Sequence, residues 1–239
     1  MSDQMIFKRY ELKYLLTRQQ QARILSAMED NMARDEYGHS SVRNIYFDTD
    51  TFRLARHSIE HPAYKEKLRI RSYGKADPEA PVFVELKKKY QSVVYKRRLP
   101  LPEQQAMSWL CGRLPLPVHS QIAEEVAYFC SYYQTLRPVV FLSYEREAFY
   151  SRDGDDFRVT FDENILARRQ ELSLNASVGG TPLLAQDQVL MEIKTAGGIP
   201  LWMSHLLAQQ QIYQSSFSKY GTAYKTLIFP HYEGGLLYA

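Results

Sequence analysis

Along most of this sequence, segments of strand character carry apolar side chains on one face and charged side chains on the other. In residues 68 to 73, Leu68 and Ile70 alternate with Arg69 and Arg71; in residues 82 to 89, Val82, Val84 and Leu86 alternate with Glu85, Lys87 and Lys89. Successive side chains of a strand point to opposite faces, so each segment has an apolar face and an ionic one. The pattern recurs at Arg9, Glu11 and Lys13, at Val94, Lys96 and Arg98, and at Leu142, Tyr144 and Arg146. It recurs again at Arg158, Thr160 and Asp162, and at Glu192 and Lys194 opposite Met191 and Ile193. On any one strand an ionic face is the ordinary solvated side of a sheet. Like charges two residues apart lie about 7 Å from each other, a repulsion of ~2 kcal/mol at an effective dielectric of 20, which water and salt relieve at a surface. Repetition over most of the strands points to a second arrangement, in which helices cover the apolar faces and the charged faces meet across a wet cavity.

Strand signals fall near residues 5 to 14, 41 to 48, 66 to 73, 81 to 90, 92 to 99, 138 to 149, 157 to 164 and 188 to 195. Eight strands are the number that closes a small barrel. Helical periodicity is expected over residues 17 to 33, opened by a Thr17/Gln20 capping box with Ile24, Leu25, Met28 and Met32 on one face. A second helix is expected over 118 to 136, with Ile122, Val126, Phe129 and Tyr133 as its stripe, and Pro200 opens a third with Trp202, Leu206 and Tyr213. The turn at Lys89-Tyr90-Gln91-Ser92 favours antiparallel pairing over crossover connections. The expected class is α+β: an eight-stranded antiparallel β-barrel with helices packed outside. No internal repeat and no Gly/Ser-rich linker divides the chain, so residues 1–239 read as one domain.

Composition narrows the function. The chain has 30 Lys+Arg against 27 Asp+Glu, a formal charge of +3, with 45% hydrophobic and 24% charged residues, which excludes a disordered or collagen-like chain. The charge is unevenly placed. Between Lys65 and Arg98 there are 11 basic and 4 acidic residues, so this stretch carries +7 and the rest −4. Such a block asks for a polyanion. Arg and Lys neutralise phosphate oxygens while a carboxylate holds Mg²⁺ or Mn²⁺, so a mostly cationic cavity with a few carboxylates suits a linear polyphosphate with a metal ion. No run of about 18 apolar residues occurs, and Asp3, Lys8 and Arg9 interrupt the N-terminus before a signal region forms, which leads us to expect a cytoplasmic protein. Cys111 and Cys130 read as reduced core thiols, and the six histidines show no ligand spacing. Trp109 and Trp202 read as helix anchors. No P-loop is present, and Gly179-Gly180 and Gly197-Gly198 read as turns.

In order along the chain, the sequence resembles the VTC domain of polyphosphate polymerases, a branch of the triphosphate tunnel metalloenzyme (CYTH-like) superfamily. The resemblance is carried by Arg9-Tyr10-Glu11-Leu12-Lys13-Tyr14, Tyr46-Phe47-Asp48-Thr49, Leu68-Arg69-Ile70-Arg71-Ser72-Tyr73, Val84-Glu85-Leu86-Lys87-Lys88-Lys89 and Val94-Tyr95-Lys96-Arg97-Arg98. Ser143-Tyr144-Glu145-Arg146, Phe157-Arg158-Val159-Thr160-Phe161-Asp162, Met191-Glu192-Ile193-Lys194 and Phe217-Ser218-Lys219-Tyr220 continue it. It implies an eight-stranded tunnel in which Lys13, Arg69, Arg71, Lys87, Lys96, Arg98, Arg146 and Arg158 grip phosphates. Glu192 would hold the metal, Mn²⁺ or Mg²⁺, with Glu11 and Glu85 as secondary candidates. Tyr144 would hydrogen-bond a phosphate oxygen, and Ser218 and Lys219 would close the site. Two positions depart from the family pattern: Arg9 stands where the wider superfamily has Glu in Glu-x-Glu-x-Lys, and Ser216 stands where some polymerases have a base. The phosphate-sensing and membrane segments of eukaryotic polymerases are not found in this sequence, so such coupling would need an unseen membrane or regulatory partner.

The resemblance implies an ATP-dependent polyphosphate polymerase whose partners are a nucleoside triphosphate and inorganic polyphosphate. A triphosphatase or nucleotide cyclase of the same superfamily and a non-catalytic polyphosphate-binding module are the alternatives. Nucleic-acid binding is the different-class reading of a basic stretch with interleaved Tyr73, Tyr90 and Tyr95. It is not expected here, because the bases are spread over many strands and Glu192 has no role in it.

Overall fold

The computed structural model describes residues 6–7, 10–60, 62–77, 81–91 and 93–231. Arg9 and Ser92 lie outside the described residues. In chain order the strands are β1 (Ile6–Phe7), β2 (Tyr10–Thr17), β3 (Met32–Asp48), β4 (Tyr64–Tyr73), β5 (Pro81–Tyr90), β6 (Val93–Pro102), β7 (Arg137–Ser151), β8 (Arg158–Arg168), β9 (Thr181–Pro182) and β10 (Gln188–Thr195). The helices are α1 (Arg18–Met28), α2 (Arg53–Glu60), α3 (Glu103–Leu110), α4 (Gln121–Tyr133), α5 (Leu201–Gln209) and α6 (Lys219–Ala223), the last running into a π-helical turn at Tyr224–Ile228. All strand pairs are antiparallel, in the order β1-β6-β5-β4-β3-β7-β8-β10-β2, with β9 on β8. Among the described residues no continuous ladder closes the sheet. Instead, Ile6–Phe7 pair with β6 and Tyr10–Thr17 pair with β10, so one N-terminal stretch engages both edges and brings them together into a tunnel.

The outer strand faces are apolar, as the alternation requires. Leu68, Ile70, Val82, Val84 and Leu86 pack against α3 and α4 through Trp109, Val126 and Phe129. Met191, Ile193, Val159 and Phe161 pack against α1 and α5 through Ile24, Met28 and Met203. A third cluster unites Tyr46, Leu142, Tyr144 and Leu190 with Phe52 and Ala55 at α2 and with Tyr220, Ala223 and Tyr224 at α6. Tyr46 and Tyr144 also line the cavity, so this cluster walls it on one side. Leu142 therefore shares a face with Tyr144 and Arg146, yet it packs in the wall and not on the lining.

Several boundaries differ from the sequence reading. The capping box at Thr17 and Gln20 forms, but α1 ends at Met28, and Met32 belongs to β3. Asn31 turns the chain there: its side-chain amide donates to Ala27 O at 3.1 Å, and Met32–Arg34 then pair with Phe149–Ser151 of β7. The second helix is shorter than expected because Ser120 caps its start and Gln134 takes φ 54° at its end. Tyr213 lies beyond α5 and is 77% exposed. The short helices α2 and α3 carry no periodicity long enough to read. Gly180 answers a close approach: at φ +136° a Cβ there would meet Ala167 O at 2.4 Å. Cys111 and Cys130 are free and half-buried, and burial pushes the Cys130 thiol up to about 11. No helix among the described residues is long and apolar enough to cross a membrane.

Candidate active site

The inward strand faces enclose a cavity of ≈ 970 Å³. Among the described residues, thirteen basic side chains and three carboxylates line it. The strand register decides who faces it. Of the eleven bases between Lys65 and Arg98, eight point inward: Lys65, Lys67, Arg69 and Arg71 from β4, Lys87 and Lys89 from β5, Lys96 and Arg98 from β6. Lys88 and Arg97 have the opposite parity and pair outside with Glu66 and Glu125. Lys13, Arg146, Arg158, Lys194 and Lys219 complete the basic lining. The basic stretch therefore forms the wall of a cavity and not an exposed arm.

Carboxylates organise these cations. Glu85 is 1% exposed and accepts from Arg69 Nε at 2.9 Å and Nη2 at 2.7 Å, and from Arg98 Nε at 2.9 Å and Nη2 at 2.6 Å. Lys96 Nζ lies 2.8 Å away and Arg71 Nε 3.8 Å. Burial opposes its ionisation, but these four cations hold the Glu85 carboxyl well below the usual range. Glu85 sits beneath the lining and not on it, so the structure gives it the work of orienting cations. Asp162, fully buried, does the same for Arg146, whose Nε and Nη2 both donate at 2.6 Å, and for Lys219. Glu192 lines the cavity, with Lys219 Nζ at 3.0 Å, Arg146 Nη2 at 3.4 Å, Lys194 Nζ at 3.7 Å and Lys13 Nζ at 3.9 Å. Glu11 also lines it and accepts from Lys87 at 2.7 Å and 2.9 Å; despite burial, Lys87 and Lys194 bring its pKa to about 2.

The cations are not all comfortable. Burial, offset only in part by Glu192, lowers Lys13 to about 8. Burial lowers Lys96 to about 8 despite Glu85, and burial together with Arg146 lowers Lys194 to about 8. Lys219 goes the other way: burial is outweighed by Asp162 and Glu192, which raise it.

Aromatic groups fix the geometry. Arg71 donates from Nε to Asn44 Oδ1 at 2.9 Å and from Nη2 to the Tyr144 hydroxyl at 3.1 Å. Arg69 Nη1 donates to the Tyr46 hydroxyl at 2.9 Å, and the Tyr46 ring stacks on Tyr220 with centroids 4.4 Å apart. The Tyr220 hydroxyl donates to Asp48 Oδ2 at 2.5 Å. Asp48 also accepts from the backbone N–H groups of Thr49, Leu54 and Ala55, which ties the start of α2 to α6. Ser218 caps α6, and its Oγ accepts from Gly221 N and Lys67 Nζ, each at 3.2 Å. Two accepted bonds leave the Ser218 hydroxyl proton as a donor of set direction. Lys13 Nζ donates to Phe217 O at 2.9 Å, and Lys219 Nζ stands 4.7 Å from the Tyr144 ring centroid.

Every site residue read from the sequence is thus at the cavity, apart from Glu85 just below it. Ser216 lines the cavity too, and Arg158 does so with no side-chain hydrogen bond or ion pair among the described residues. Sequence reasoning did not assign roles to Lys65, Lys67, Lys89, Lys194, Asn44 or Asp162. A signal was present for the lysines, since they share the parity of Arg69, Arg71, Lys87 and Glu192. Asp162 likewise shares the parity of Arg158 and Thr160; Asn44 gave no signal, because a buried polar side chain in an apolar strand is recognised only when its partner's position is known.

Comparison with known proteins places this arrangement. A family model of the VTC domain matches residues 8–228. The chain belongs to the VTC domain family. Two solved structures share the triphosphate tunnel fold of this VTC domain. A candidate adenylate cyclase from Bacillus halodurans superposes with a TM-score of 0.55 at 18% identity, covering 90% of this chain and 95% of its own. A candidate adenylyl cyclase from Hippeastrum, described as having a dominant triphosphatase activity, superposes with a TM-score of 0.54 at 17% identity, covering 91% and 95%. No curated protein sequence shows a significant match to this VTC domain.

Proposed function

We propose that this VTC domain is a divalent-metal-dependent polyphosphate polymerase that transfers the γ-phosphoryl group of ATP to a growing polyphosphate chain inside the tunnel. The observation that carries the reading is the charge of the cavity. Thirteen bases stand against five carboxylates, three on the lining and Glu85 and Asp162 beneath it, a formal excess of eight. A nucleoside triphosphate brings about four negative charges, so the wall has charge for a second polyanion beside it. Membership of the VTC family supports the same reading.

In the reaction an oxygen of the acceptor's terminal phosphate forms a bond to the γ-phosphorus as the bond from that phosphorus to the β-bridging oxygen breaks, and the electron pair leaves with ADP. The acceptor is already an anion, so no protein nucleophile is needed, and the work of the protein is positioning and charge stabilisation. Arg69, Arg71 and Arg146, each anchored to a buried carboxylate or amide, form fixed forks for phosphate oxygens. Lys96, Arg98, Arg158 and Lys219 add charge around the phosphates, with Lys13 and Lys87 beside the lining carboxylates. Tyr144 and Ser218 supply hydroxyls.

The residues fit a metal of a particular kind. Among the described residues no group of three His, Cys, Asp or Glu could enclose an ion. Glu192 and Glu11, diagonal neighbours across the β2–β10 pair, do line the cavity. Mg²⁺ is bound through one or two carboxylates plus substrate phosphates and Mn²⁺ favours the same oxygen ligands, so the donor set suits an ion that shares its ligands with the nucleotide. Held by Glu192 and Glu11, such an ion would neutralise charge on the phosphates.

Incubation of the purified protein with ATP and Mn²⁺ or Mg²⁺, with products resolved by gel, tests the proposal. Chains of increasing length are expected. Release of free phosphate without chains would overturn it in favour of triphosphate hydrolysis, the reading that the activity described for the Hippeastrum neighbour favours. Chain binding without turnover would leave a polyphosphate-binding module.

A further inference from the structure

The cations of β4 and β5 are of two kinds. Around Arg69 and Arg71, one buried carboxylate, Glu85, anchors the neighbouring bases. At the other end of the same two strands Lys65 stands directly opposite Lys89, and Lys67 opposite Lys87. All four face the cavity. Directly opposed like charges destabilise a sheet, and here two such pairs adjoin. Lys87 has Glu11 as its counterion. Among the described residues Lys65, Lys67 and Lys89 have no carboxylate partner, and Lys67 donates to the neutral Ser218 hydroxyl. Burial and the charges of Lys13, Lys87, Lys65 and Arg69 push the Lys67 amine well below its ordinary value. This corner destabilises the empty protein and is relieved when an anion sits among the amines.

We propose that Lys65, Lys67 and Lys89 form a second polyanion subsite, which takes the polyphosphate chain, separate from the arginine end that takes the nucleoside triphosphate. The assignment rests on the polymerase reading for the identity of the chain. Side-chain chemistry supports the division. An arginine fork fixes two oxygens in one geometry, which suits phosphates that must be held for reaction. A lysine is a point charge on a flexible stem with three rotatable donors, and it holds a repeating chain equally well in each register. A chain that advances by one unit per turnover needs the second kind of contact. Arg71 lies six positions beyond Lys65, about 20 Å along the strand, so one extended chain can reach both ends.

The test is binding without turnover, using the full chain, inorganic polyphosphates of defined length and a non-hydrolysable ATP analogue. In wild type, a chain long enough to reach both ends is expected to bind at least about tenfold more tightly than triphosphate, the gain of one or two charge-assisted contacts. In Lys65→Gln/Lys89→Gln, long-chain affinity is expected to fall at least about tenfold more than nucleotide-analogue affinity, and the melting temperature of the empty protein to rise. Arg98→Gln is expected to show the reverse preference. Equal losses for chain and nucleotide in the lysine variant would overturn the subsite. If that variant does not fold, equal affinity of wild type for short and long chains would overturn it instead. Failure to make chains from ATP would sink the polymerase reading and leave these binding results standing; chain synthesis with equal losses would sink the subsite alone.

Discussion

Two glutamates of the same tunnel do different work, and substitution separates them. Glu85, almost without exposure, is the common acceptor of Arg69, Lys96 and Arg98. Glu85→Gln would leave these cations, and the buried Arg71 beside them, with a single neutral carbonyl. Breaking a buried ion cluster from one side costs about 3–5 kcal/mol, so a large fall in unfolding free energy is expected in a urea titration. Glu192 faces the cavity and four cations, where an incoming polyanion can replace its charge. Glu192→Gln is therefore expected to lower the melting temperature of the empty protein, to regain it on addition of triphosphate, and to lose metal-dependent turnover. Turnover with an unchanged metal titration would remove Glu192 from metal binding. Both glutamates were visible in the sequence as inward members of charged strands. What separated them was not visible: Glu85 sits opposite Arg98 and Arg69 in the β4-β5-β6 register, and alternation alone does not fix the register of those two hairpins.

At the scale of elements, the site depends on how α2 and α6 are joined. The Asp48 carboxylate holds the first turn of α2 through Leu54 N and Ala55 N and receives the Tyr220 hydroxyl, while the Tyr220 ring lies on Tyr46 beside Arg69. This places Lys219 and Ser218, one and two residues earlier, at the cavity. Tyr220→Phe keeps the stack and removes one hydrogen bond to a charged group, which contributes about 1.5–3 kcal/mol. A loss of that order in unfolding free energy is expected, and Asp48→Ala, which also frees two backbone donors, should cost more. If α6 positions Lys219, both variants should raise KM for ATP more than they lower kcat. The long strands and the faces of α1 and α4 were legible because a period of two or 3.6 persists over them. The helices α2 and α6 were not. Their eight and five residues are too few to show a period, and a carboxylate at the end of β3, remote in sequence from Tyr220, stabilises them.

For the whole molecule, the closed arrangement of charged faces makes stability depend on pH and on ligand in opposite senses. Lys13, Lys96 and Lys194 have their pKa values lowered from the ordinary 10.5 to about 8, through burial above all, and Tyr73 is lowered to about 8 by Arg71 and Arg98 against the effect of burial. Between pH 8 and 10 each of these groups binds fewer protons folded than unfolded, so unfolding takes up protons and becomes harder as pH rises. The cost of enclosing the cations is fully present below pH 8 and is relieved above it. Groups whose pKa values are raised, Lys219 and Tyr220 among them, act in the opposite sense only as pH approaches and passes 10. The melting temperature of the empty protein is therefore expected to rise from pH 8 to 10, where most proteins have a flat or falling profile. A bound polyphosphate favours the protonated lysines and restores their ordinary values, so the shift in melting temperature that it produces should be largest near pH 7 and shrink toward pH 10. Binding at pH 8 should take up protons, seen as a dependence of calorimetric enthalpy on the ionisation enthalpy of the buffer. A melting temperature of the empty protein that falls steadily from pH 8 to 10, with no proton uptake on binding, would mean that these lysines are solvated as they would be on an outer face, and the enclosed tunnel would lose its energetic basis.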